Sequence, residues 1–506
     1  MTHRVMPKTE RLPHALYRAG QVRNLDRQAI ERFGITGAEL MQRAGNAAFA
    51  LARERWPQAQ RVVVLAGPGN NGGDGFVFAL AAKQAGLEAL VLQLGDREAL
   101  KGDALHYAQQ WQATGGDWQD YRELPRECDL IVDAMLGTGL QRELRGPFAQ
   151  AVAEANAHRA PKLAIDIPSG LHSDRGVVLG TAIRAEATLS FIGLKQGLFT
   201  GDGPDCCGEV FFDALEVPAA VYASELLSAR RIDSDKQREL LGPRRRSAHK
   251  GHFGHVLVIG GDHGFGGAAR LAGEAAARCG AGLVSVATRA AHVPGLLAAC
   301  PELMVHAVDH SHSLEPLLAR ASVLVLGPGL GTSAWGRELF GIAMRAQRPM
   351  VIDADGLNLL AEGAAGASVR RDDWVLTPHP GEAARLLSVC NAEIHDDRFA
   401  AVEALQRRFG GSVLLKGAGS LVASGGNRPP ALCSAGNPGM ASGGMGDVLS
   451  GVIGALIAQG LALDEAAELG VCLHATAADR AAAVQGERGL LASDLMPHLR
   501  ALVNGR

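Results

Sequence analysis

The sequence lacks the features that mark exported, membrane-spanning or nucleic-acid-binding proteins. Its 50 basic and 53 acidic residues nearly cancel and are interspersed, so composition gives no electrostatic attraction to a nucleic acid or an acidic membrane surface. No run of about 18 uninterrupted apolar residues occurs, and the N-terminus has no apolar stretch of the signal-peptide kind. We therefore expect a cytoplasmic protein whose partners are small molecules or other protein, without nucleic acid or membrane.

Cysteine is scarce, and no pair has C-x-x-C or metal-ligand spacing. Eight cysteines in 506 residues are therefore expected to be reduced thiols, mostly in the core. Glycine is abundant instead: its 64 residues are nearly twice the usual share of about 7%, without a collagen-like period. The excess lies in a few loops, where we expect the chemistry.

The chain is longer than the size at which a single core stops growing, which predicts two domains. Short β-branched runs alternate with alanine-rich segments of helical period, a pattern typical of βαβ units and a parallel sheet. The pattern occurs twice and lapses over residues 217–251. We therefore predict two doubly wound α/β domains, residues 1–228 and 229–506. The predicted strands are 61–66, 89–94, 129–134, 162–167, 187–192, 209–213, 255–259, 283–287, 323–326, 350–353, 374–377 and 412–416.

A glycine-rich loop follows the first predicted strand. It reads GPGNNGGDG over residues 67–75 and precedes a helix predicted from Phe76. A strand, a glycine loop and a helix start let a ligand phosphate approach backbone N–H groups, although the strict G-x-G-x-x-G pattern is absent. A flexible tight turn is the alternative. It rarely needs as many polar side chains as Asn70, Asn71 and Asp74 provide.

Two further strand ends carry polar clusters, DAMLGTGL from Asp133 and DIPSG from Asp166. Because carboxyl ends of neighbouring parallel strands share one edge of a sheet, we expect these clusters to converge on the loop at 67–75. Asp133, Asn71 and Ser169 offer hard oxygen ligands suited to a small cation. Each residue taken alone is more often a loop-capping side chain.

Together with FIGLKQGLFTG, these motifs resemble the epimerase domain of the bifunctional NAD(P)H-hydrate repair enzymes, over roughly residues 15–225. The resemblance implies a Rossmann-like three-layer domain in which Asn71, Asp133 and Ser169 bind K⁺. Asp166 would contact the substrate and is the candidate catalytic proton carrier. Epimerisation at ring carbon 6 requires the hydroxyl to leave and return or the ring to open and close, and both routes need a carboxylate that gives and takes a proton. The residues implied to hold the hydrated nucleotide are Asn70, Asn71, Gly72, Gly73, Asp74, Gly137, Thr138, Gly139, Leu140, Gln141, Arg142, Glu143 and Asp166.

The second half contains the glycine-rich segment GNPGMASGGMGDVL, residues 436–449, which leads into an apolar helix predicted at 447–459. Free N–H groups at such a helix start can stabilise a transferring phosphoryl group. Asp447 at this start can take the proton from an attacking hydroxyl. An ordinary helix cap is the alternative for this aspartate. The Walker A pattern is absent, which excludes a P-loop enzyme.

Three other segments fit an adenine-nucleotide site. KGAGS from Lys416 to Ser420 can hold phosphate, GPGLG at 327–331 allows close backbone approach, and TPHPGE at 377–382 supplies an imidazole and a carboxylate.

With HKGHFGHVLVIGGD, GGAARLAGEAAARCGAGLVSVAT and DADGLNLL, these segments resemble the ribokinase-like dehydratase domain of the same repair enzymes, over about residues 230–505. The resemblance implies that Mg²⁺ accompanies ADP or ATP as co-substrate and that Glu382 helps to position it. Ser420 departs from the usual threonine but keeps a hydroxyl. The residues implied to contact the hydrate are Ala268, Gly329, His379 and Asp447. Those implied to contact the nucleotide are Lys416, Gly417, Ala418, Gly419, Ser420 and Gly446.

The sequence thus predicts a metabolite-repair enzyme with Asp447 and Asp166 as catalytic residues. Asp447 would deprotonate the ring hydroxyl, the nucleotide would phosphorylate it, and loss of phosphate would restore NAD(P)H from the S hydrate. Resemblance to bacterial forms favours ADP, which would give AMP. A ribokinase-type small-molecule kinase with a nucleotide-binding regulatory N-terminal domain is the alternative. A non-enzymatic scaffold is disfavoured by the presence of Asp133 and Asp166. We also expect a homo-oligomer.

Overall fold

The computed structural model describes residues 12–364, 366 and 369–505. The chain divides into two compact units, Met1–Arg230 and Arg231–Arg506. None of the helices in the described ranges is long and apolar enough to cross a membrane. The eight cysteines are all free, and Cys390 alone among them is exposed.

The first unit is built on a parallel sheet covered by helices. The strands up to the unit boundary are β1 (Ala15–Tyr17), β2 (Arg61–Ala66), β3 (Glu88–Gln93), β4 (Asp117–Asp120), β5 (Leu130–Ala134), β6 (Lys162–Ile165), β7 (Ala187–Phe191), β8 (Leu194–Lys195), β9 (Glu209–Asp213) and β10 (Ala229–Ile232). The helices are α1 (Ala19–Phe33), α2 (Gly37–Arg55), α3 (Asn70–Gln84), α4 (Gly102–Ala113), α5 (Pro147–Ala157), α6 (Gly203–Cys207) and α7 (Ala219–Tyr222). The main sheet has the order β4-β3-β2-β5-β6-β7-β9, with every pair parallel.

Alternate residues of the central strand β2 face opposite sides of this sheet. Val62 and Val64 join a core with α2, α3 and α4, whereas Val63 and Leu65 join a core with α5. Strands buried on both faces read as continuous apolar runs, which is why these strands could be predicted. The three-layer α/β arrangement is confirmed.

Helix α3 begins at Asn70, so the prediction that the helix starts at Phe76 was wrong. Most of the glycine loop forms the first turns of the helix. A Cβ at Gly72 would lie 1.9 Å from the carbonyl oxygen of Gly67, and one at Gly75 would lie 2.7 Å from the Cβ of Ala134. The glycines therefore let the helix start directly against the ends of β2 and β5, where a larger residue would force it away.

The second unit also carries a largely parallel sheet. Its further strands are β11 (His255–Ile259), β12 (Leu283–Thr288), β13 (Met304–Ala307), β14 (Val323–Leu326), β15 (Met350–Ile352), β16 (Trp374–Leu376), β17 (Ser412–Leu415), β18 (Ser420–Ser424) and β19 (Ala431–Cys433). Its helices are α8 (Ser234–Arg238), α9 (Gly266–Arg278), α10 (Val293–Ala299), α11 (Glu315–Arg320), α12 (Ala334–Arg345), α13 (Ala354–Ala361), α14 (Pro380–Leu387), α15 (Asn391–Asp396), α16 (Arg398–Phe409), α17 (Met445–Ala458), α18 (Leu463–Gln485) and α19 (Leu495–Val503). Strands run in the order β13-β12-β11-β14-β15-β16-β17-β18-β19, parallel as far as β17 and antiparallel after it.

Helix α17 lies at the centre of the second unit. It is apolar on nearly all sides, as expected for a helix that is buried all round. It packs against α9 and α18. A Cβ at Gly451 would lie 2.0 Å from the carbonyl oxygen of Ala272 on α9, so the two helix backbones are in close contact. This packing fixes the start of α17, where the glycine-rich segment ends.

Candidate active sites

A cavity of about 1260 Å³ lies at the carboxyl ends of the first unit's strands. The start of α3 contributes Asn70, Asn71 and Asp74 to its wall, residues 137–143 contribute the loop after β5, and Asp166 follows β6. Three segments distant in sequence thus meet at one edge of the sheet. The volume is large enough for a nucleotide-sized ligand.

Two of the predicted substrate-binding residues, Gly72 and Gly73, lie away from the cavity wall. A Cβ at Gly73 would lie 2.4 Å from the Sδ of Met41. These two glycines face neighbouring protein atoms, so their part in the site is to allow the close start of α3.

Asp166 is held in an unusual backbone conformation. Its φ is 68°, in the left-handed region that few residues other than glycine adopt. Its carboxylate accepts hydrogen bonds from the Lys195 ammonium and from the Phe191 N–H, the latter at 3.2 Å. Lys195 is fully buried and also donates to Ser190 Oγ at 3.1 Å. Asp166 thus faces the cavity as a carboxylate paired with a buried ammonium.

Two more carboxyl groups lie on the same wall, on Asp26 of α1 and Asp74 of α3. Burial raises the pKa of Asp74 well above its usual range, and the charges of Asp166 and Asp26 raise it further. Burial also raises the pKa of Asp26 to about 6, against the opposing charge of Lys195. Asp26 and Lys195 were not predicted as site residues. The sequence could have marked Lys195 as functional, because a lysine inside an apolar motif is unusual. The sequence of α1 contains no comparable feature at Asp26.

The three residues implied to bind a cation meet at the loop that follows β5. The Ser169 hydroxyl donates to Asp133 Oδ1 at 2.6 Å and accepts from the Leu136 N–H at 2.9 Å. Asn71 packs against Gly137 of this loop, because a Cβ added at Gly137 would lie 3.6 Å from the Cβ of Asn71.

The chemistry of this group fits a cation. Within the described residues both amide atoms of Asn71 are buried without a hydrogen-bond partner. Asp133 is fully buried, and burial raises its pKa to about 6 although Ser169 donates hydrogen bonds to it. A buried carboxylate beside an unsatisfied amide oxygen offers hard oxygen ligands and one negative charge.

In the second unit, Asp447 lies in the first turn of α17. The preceding Gly444 has a φ of 90°, which turns the chain into the helix. Burial raises the pKa of Asp447 to about 7, and the nearby charge of Asp353 adds to this effect while Lys416 opposes it. A carboxylate with a pKa near neutrality is suited to act as a general base.

Lys416 connects the groups around Asp447. Its ammonium donates to Asp353 Oδ1 at 2.7 Å and lies 3.8 Å from Glu382 Oε2. The Ser450 hydroxyl of α17 donates to the other oxygen of Asp353 at 2.6 Å. A Cβ at Gly446 would lie 3.2 Å from Lys416 Nζ, so the ammonium points at the start of α17.

His379 caps helix α14. Its Nδ1 accepts from the Gly381 N–H at 3.0 Å, and the Glu382 carboxylate accepts from the His379 N–H at 2.8 Å. Burial lowers the pKa of His379, and the charge of Lys416 lowers it further, so the imidazole is neutral at physiological pH. Burial raises the pKa of Glu382 to about 7.

Gly329 and Ala268 come from two different elements. Gly329 lies on the loop after β14 with a φ of 59°, and Ala268 lies in the first turn of α9. An added Cβ at Gly329 would lie 3.2 Å from the Cβ of Ala268. The same loop donates from Gly331 N–H to Asp355 at 2.8 Å, and the charge of Asp355 contributes to the raised pKa of Asp447. The structure therefore brings Ala268 and Gly329 together, beside a loop that contacts a carboxylate acting on Asp447.

The predicted nucleotide loop, residues 416–420, is fixed by a buried arginine. Arg398 donates to the carbonyl oxygens of Lys416 at 3.2 Å and Gly419 at 3.3 Å. The Ser420 hydroxyl donates to the Gly417 carbonyl at 3.1 Å. Arg398, Asp353 and Ser450 were not predicted. The motif DADGLNLL contained Asp353, whereas no local pattern marked the other two.

Comparisons with known proteins match both units. The family model described as YjeF-related protein N-terminus matches residues 37–197, and that described as NAD(P)H-hydrate dehydratase matches residues 256–500. A bifunctional NAD(P)H-hydrate repair enzyme of Coxiella burnetii is 48% identical over 97% of this chain and 99% of its own length. One of Escherichia coli is 45% identical over 100% of this chain and 97% of its own length.

A solved ribokinase-like superfamily protein from Enterococcus faecalis is also similar. It is 28% identical with a TM-score of 0.51, and the match covers 55% of this chain and 97% of that one. The predicted fold class and the resemblance drawn from the motifs are both confirmed. On identity and coverage over its whole length, this chain belongs to the family of bifunctional NAD(P)H-hydrate repair enzymes.

Proposed function

We propose that the chain repairs hydrated NAD(P)H in two steps, with residues 1–228 as the epimerase domain and residues 229–506 as the dehydratase domain. The first interconverts the R and S hydrates. The second dehydrates the S form at the expense of ADP, giving AMP and phosphate. The observation that carries the proposal is the half-buried Asp447 at a helix start near the Lys416 ammonium, because it combines a base of pKa about 7 with groups that stabilise a phosphoryl group.

In the dehydration, the carboxylate of Asp447 takes the proton of the ring hydroxyl as its oxygen attacks the terminal phosphorus. The Lys416 ammonium and the first N–H groups of α17 stabilise the charge on the transferring group. The C–O bond then breaks with phosphate as leaving group, and loss of a proton from the adjacent ring carbon restores the double bond. Hydroxide is a poor leaving group and phosphate a good one, which is why a nucleotide is needed.

The two ligands of the dehydratase site are assigned to different residues. We assign contacts with the hydrate to Ala268, Gly329, His379 and Asp447. The nucleotide is assigned to Lys416, Gly417, Ala418, Gly419, Ser420 and Gly446. Arg398 fixes the loop that carries most of these.

Magnesium in this site depends on the nucleotide. Mg²⁺ beside a nucleotide is usually held by phosphate oxygens and water together with one or two carboxylates. Glu382 would help to position the ion.

In the epimerase domain, Asp166 is the proposed proton carrier, and the residues proposed to bind the hydrated nucleotide are Asn70, Asn71, Asp74 and residues 137–143. Asn71, Asp133 and Ser169 would hold potassium, which would compensate the buried charge of Asp133. This assignment is supported by the unsatisfied Asn71 amide. In the described residues Asp133 has no ion-pair partner.

The test supplies mixed R and S hydrates with ADP or ATP and follows the near-ultraviolet absorbance of reduced nicotinamide. If neither nucleotide restores NAD(P)H, the proposal fails, and a stable phosphorylated product would point to the small-molecule kinase instead. Asp447→Ala should abolish the recovery of NAD(P)H absorbance and leave the interconversion of R and S hydrates intact. In Asp166→Ala the dehydratase should still consume the S hydrate rapidly, whereas the R hydrate should no longer be converted quickly. Equal loss of both activities in both variants would indicate misfolding.

The free cysteines support a reducing, cytoplasmic location. The homo-oligomer stays a prediction, which a molecular-mass measurement in solution would check.

A further inference from the structure

The cavity of the first unit brings three carboxyl groups and one ammonium together from four elements. Asp26 comes from α1, Asp74 from α3, Asp166 from the end of β6 and Lys195 from β8. The unsatisfied, buried amide of Asn71 lies on the same wall, which marks this wall as the side that meets a ligand. The other charged groups that line the cavity are Arg23, Asp103, Arg142, Glu143 and Arg145.

The carboxyl groups differ in what they contact. Asp166 is paired with the Lys195 ammonium and also accepts the Phe191 N–H. The carboxyl groups of Asp74 and Asp26 make no hydrogen bond or ion pair with any residue that the structure describes. The one ammonium among these three partly desolvated carboxyl groups is paired with Asp166 and does not compensate all of them. The protonated form is therefore favoured at Asp74, which has no such partner.

The electrostatics of Asp74 agree with this division. Burial is the largest cause that raises its pKa, followed by the charges of Asp166 and Asp26, while Lys195 opposes them. Asp26 thus adds negative charge that favours the neutral carboxyl of Asp74.

We propose that Asp74 is the catalytic acid of the epimerase and that Asp166, paired with the positioning residue Lys195, is its base. The proposal rests on the epimerase function assigned above and extends it from one proton carrier to an acid and a base. Reversible opening of the hydrate ring needs both, because one proton leaves the hydroxyl and another reaches the ring nitrogen.

The Asp166 carboxylate takes the hydroxyl proton, the freed oxygen pair forms the carbonyl, and the bond between ring carbon 6 and the ring nitrogen breaks. The bonding pair stays on the nitrogen, which takes the proton of Asp74. Rotation of the open aldehyde and reversal of the same transfers close the ring with the opposite configuration. Loss and return of water at carbon 6 would use the same acid and base.

The deciding experiment gives the full-length protein pure R hydrate without nucleotide and measures the appearance of S hydrate by chromatography. Asp74→Asn should lower kcat by about 10²-fold or more with little change in KM, as for loss of a general acid. Asp74→Glu should recover part of the rate. Asp205→Asn, at an exposed position of the first unit outside the cavity, should stay near wild type. Wild-type kcat in Asp74→Asn overturns the proposal.

The same preparations separate this inference from the proposed function. If the wild type does not interconvert the hydrates above the uncatalysed rate, the epimerase function itself fails. If the wild type is active, the outcome for Asp74→Asn decides the role of Asp74. Dehydration of S hydrate by the second unit shows that each variant is folded there, and unchanged thermal unfolding of the first unit excludes a structural loss.

Lys195 is tested by the pH dependence of the rate. A base must be ionised, so the wild-type rate falls on the acid side of its pH profile. Lys195→Met should move this fall to higher pH, because the carboxylate that acts as base loses its paired cation, and Lys195→Arg should restore the wild-type profile. An unshifted pH profile in Lys195→Met, at equal loss of rate at every pH, would show a structural role only and overturn the positioning role.

Discussion

Replacing Asp447 by asparagine is expected to stabilise the second unit above neutral pH while abolishing dehydration. The pKa of Asp447 is raised from 3.8 to about 7 in the folded protein, chiefly by burial. Above pH 7 the folded state must therefore hold a buried carboxylate that the unfolded chain ionises without penalty. Asparagine has nearly the same shape and remains neutral, so the variant avoids this cost.

The sign and size follow from linkage. A carboxyl group with a raised folded-state pKa contributes stability that is complete below pH 3.8 and is lost as pH rises through the folded-state value. One pKa unit corresponds to about 1.4 kcal/mol. The gain of Asp447→Asn should therefore grow from about 1 to 2 kcal/mol near pH 5 to at most about 4 kcal/mol near pH 8, less whatever residual solvent screens.

The assay is urea or thermal unfolding of wild type and variant at a series of pH values, followed by a signal of the second unit. Asp372→Asn is the matched control, because its side chain is 87% exposed and should give no difference that depends on pH. A variant that is less stable than wild type near pH 8, or a gain that does not change with pH, would refute the reasoning.

Three further predictions concern other parts of the two sites. The kcat of dehydration should fall about tenfold per pH unit below pH 7, since Asp447 must be ionised. Asp353→Asn should move this fall to lower pH, because it removes a charge that raises the Asp447 pKa. Absorbance assays at saturating substrate measure the profile, and an acid limb of the pH profile at the same pH in wild type and variant would contradict this prediction. Potassium chloride should raise the unfolding temperature of the first unit relative to sodium chloride in wild type but not in Asn71→Ala, and an equal effect in both would argue against the cation site. Gly72→Ala should disrupt the first unit, because the new Cβ would lie 1.9 Å from a backbone carbonyl oxygen. Gly69→Ala is the control, because an added Cβ there would have no atom within 4 Å. Far-ultraviolet circular dichroism and epimerase assays should show loss of structure and activity in the first variant and neither in the second.

The sequence was sufficient to predict the strands that form the centre of each sheet. Runs such as residues 62–66 and 323–326 are apolar throughout because helices cover both faces of a parallel sheet. Strand β4 was missed, since Asp-Trp-Gln-Asp at 117–120 lies at a sheet edge and three of its four residues are exposed. The start of α3 was missed because glycine is a poor helix former, and the reason it is tolerated there is tertiary packing.

The same limit applies to the sites. Residues inside glycine-rich motifs, such as Asp166 and Asp447, could be proposed as functional from their place after a strand or before a helix. Asp26 and Arg398 could not, because their importance arises from contacts with residues farther along the sequence. A buried charge is recognisable only when its partners are known.

The close contact between Gly451 and α9 links the position of Asp447 to a helix interface. An added Cβ at Gly451 would lie 2.0 Å from the Ala272 carbonyl oxygen, so a side chain there would push α17 away from α9 and move Asp447, one turn nearer the start of the same helix. The loops at 327–331 and 416–420 are restricted as well, because an added Cβ at Gly327 would lie 1.9 Å from the Asp353 carbonyl oxygen and Arg398 holds the second loop. Directed evolution toward a different nucleotide or a bulkier hydrate should therefore retain Gly327 and Gly451, and libraries that vary them should yield mostly inactive protein.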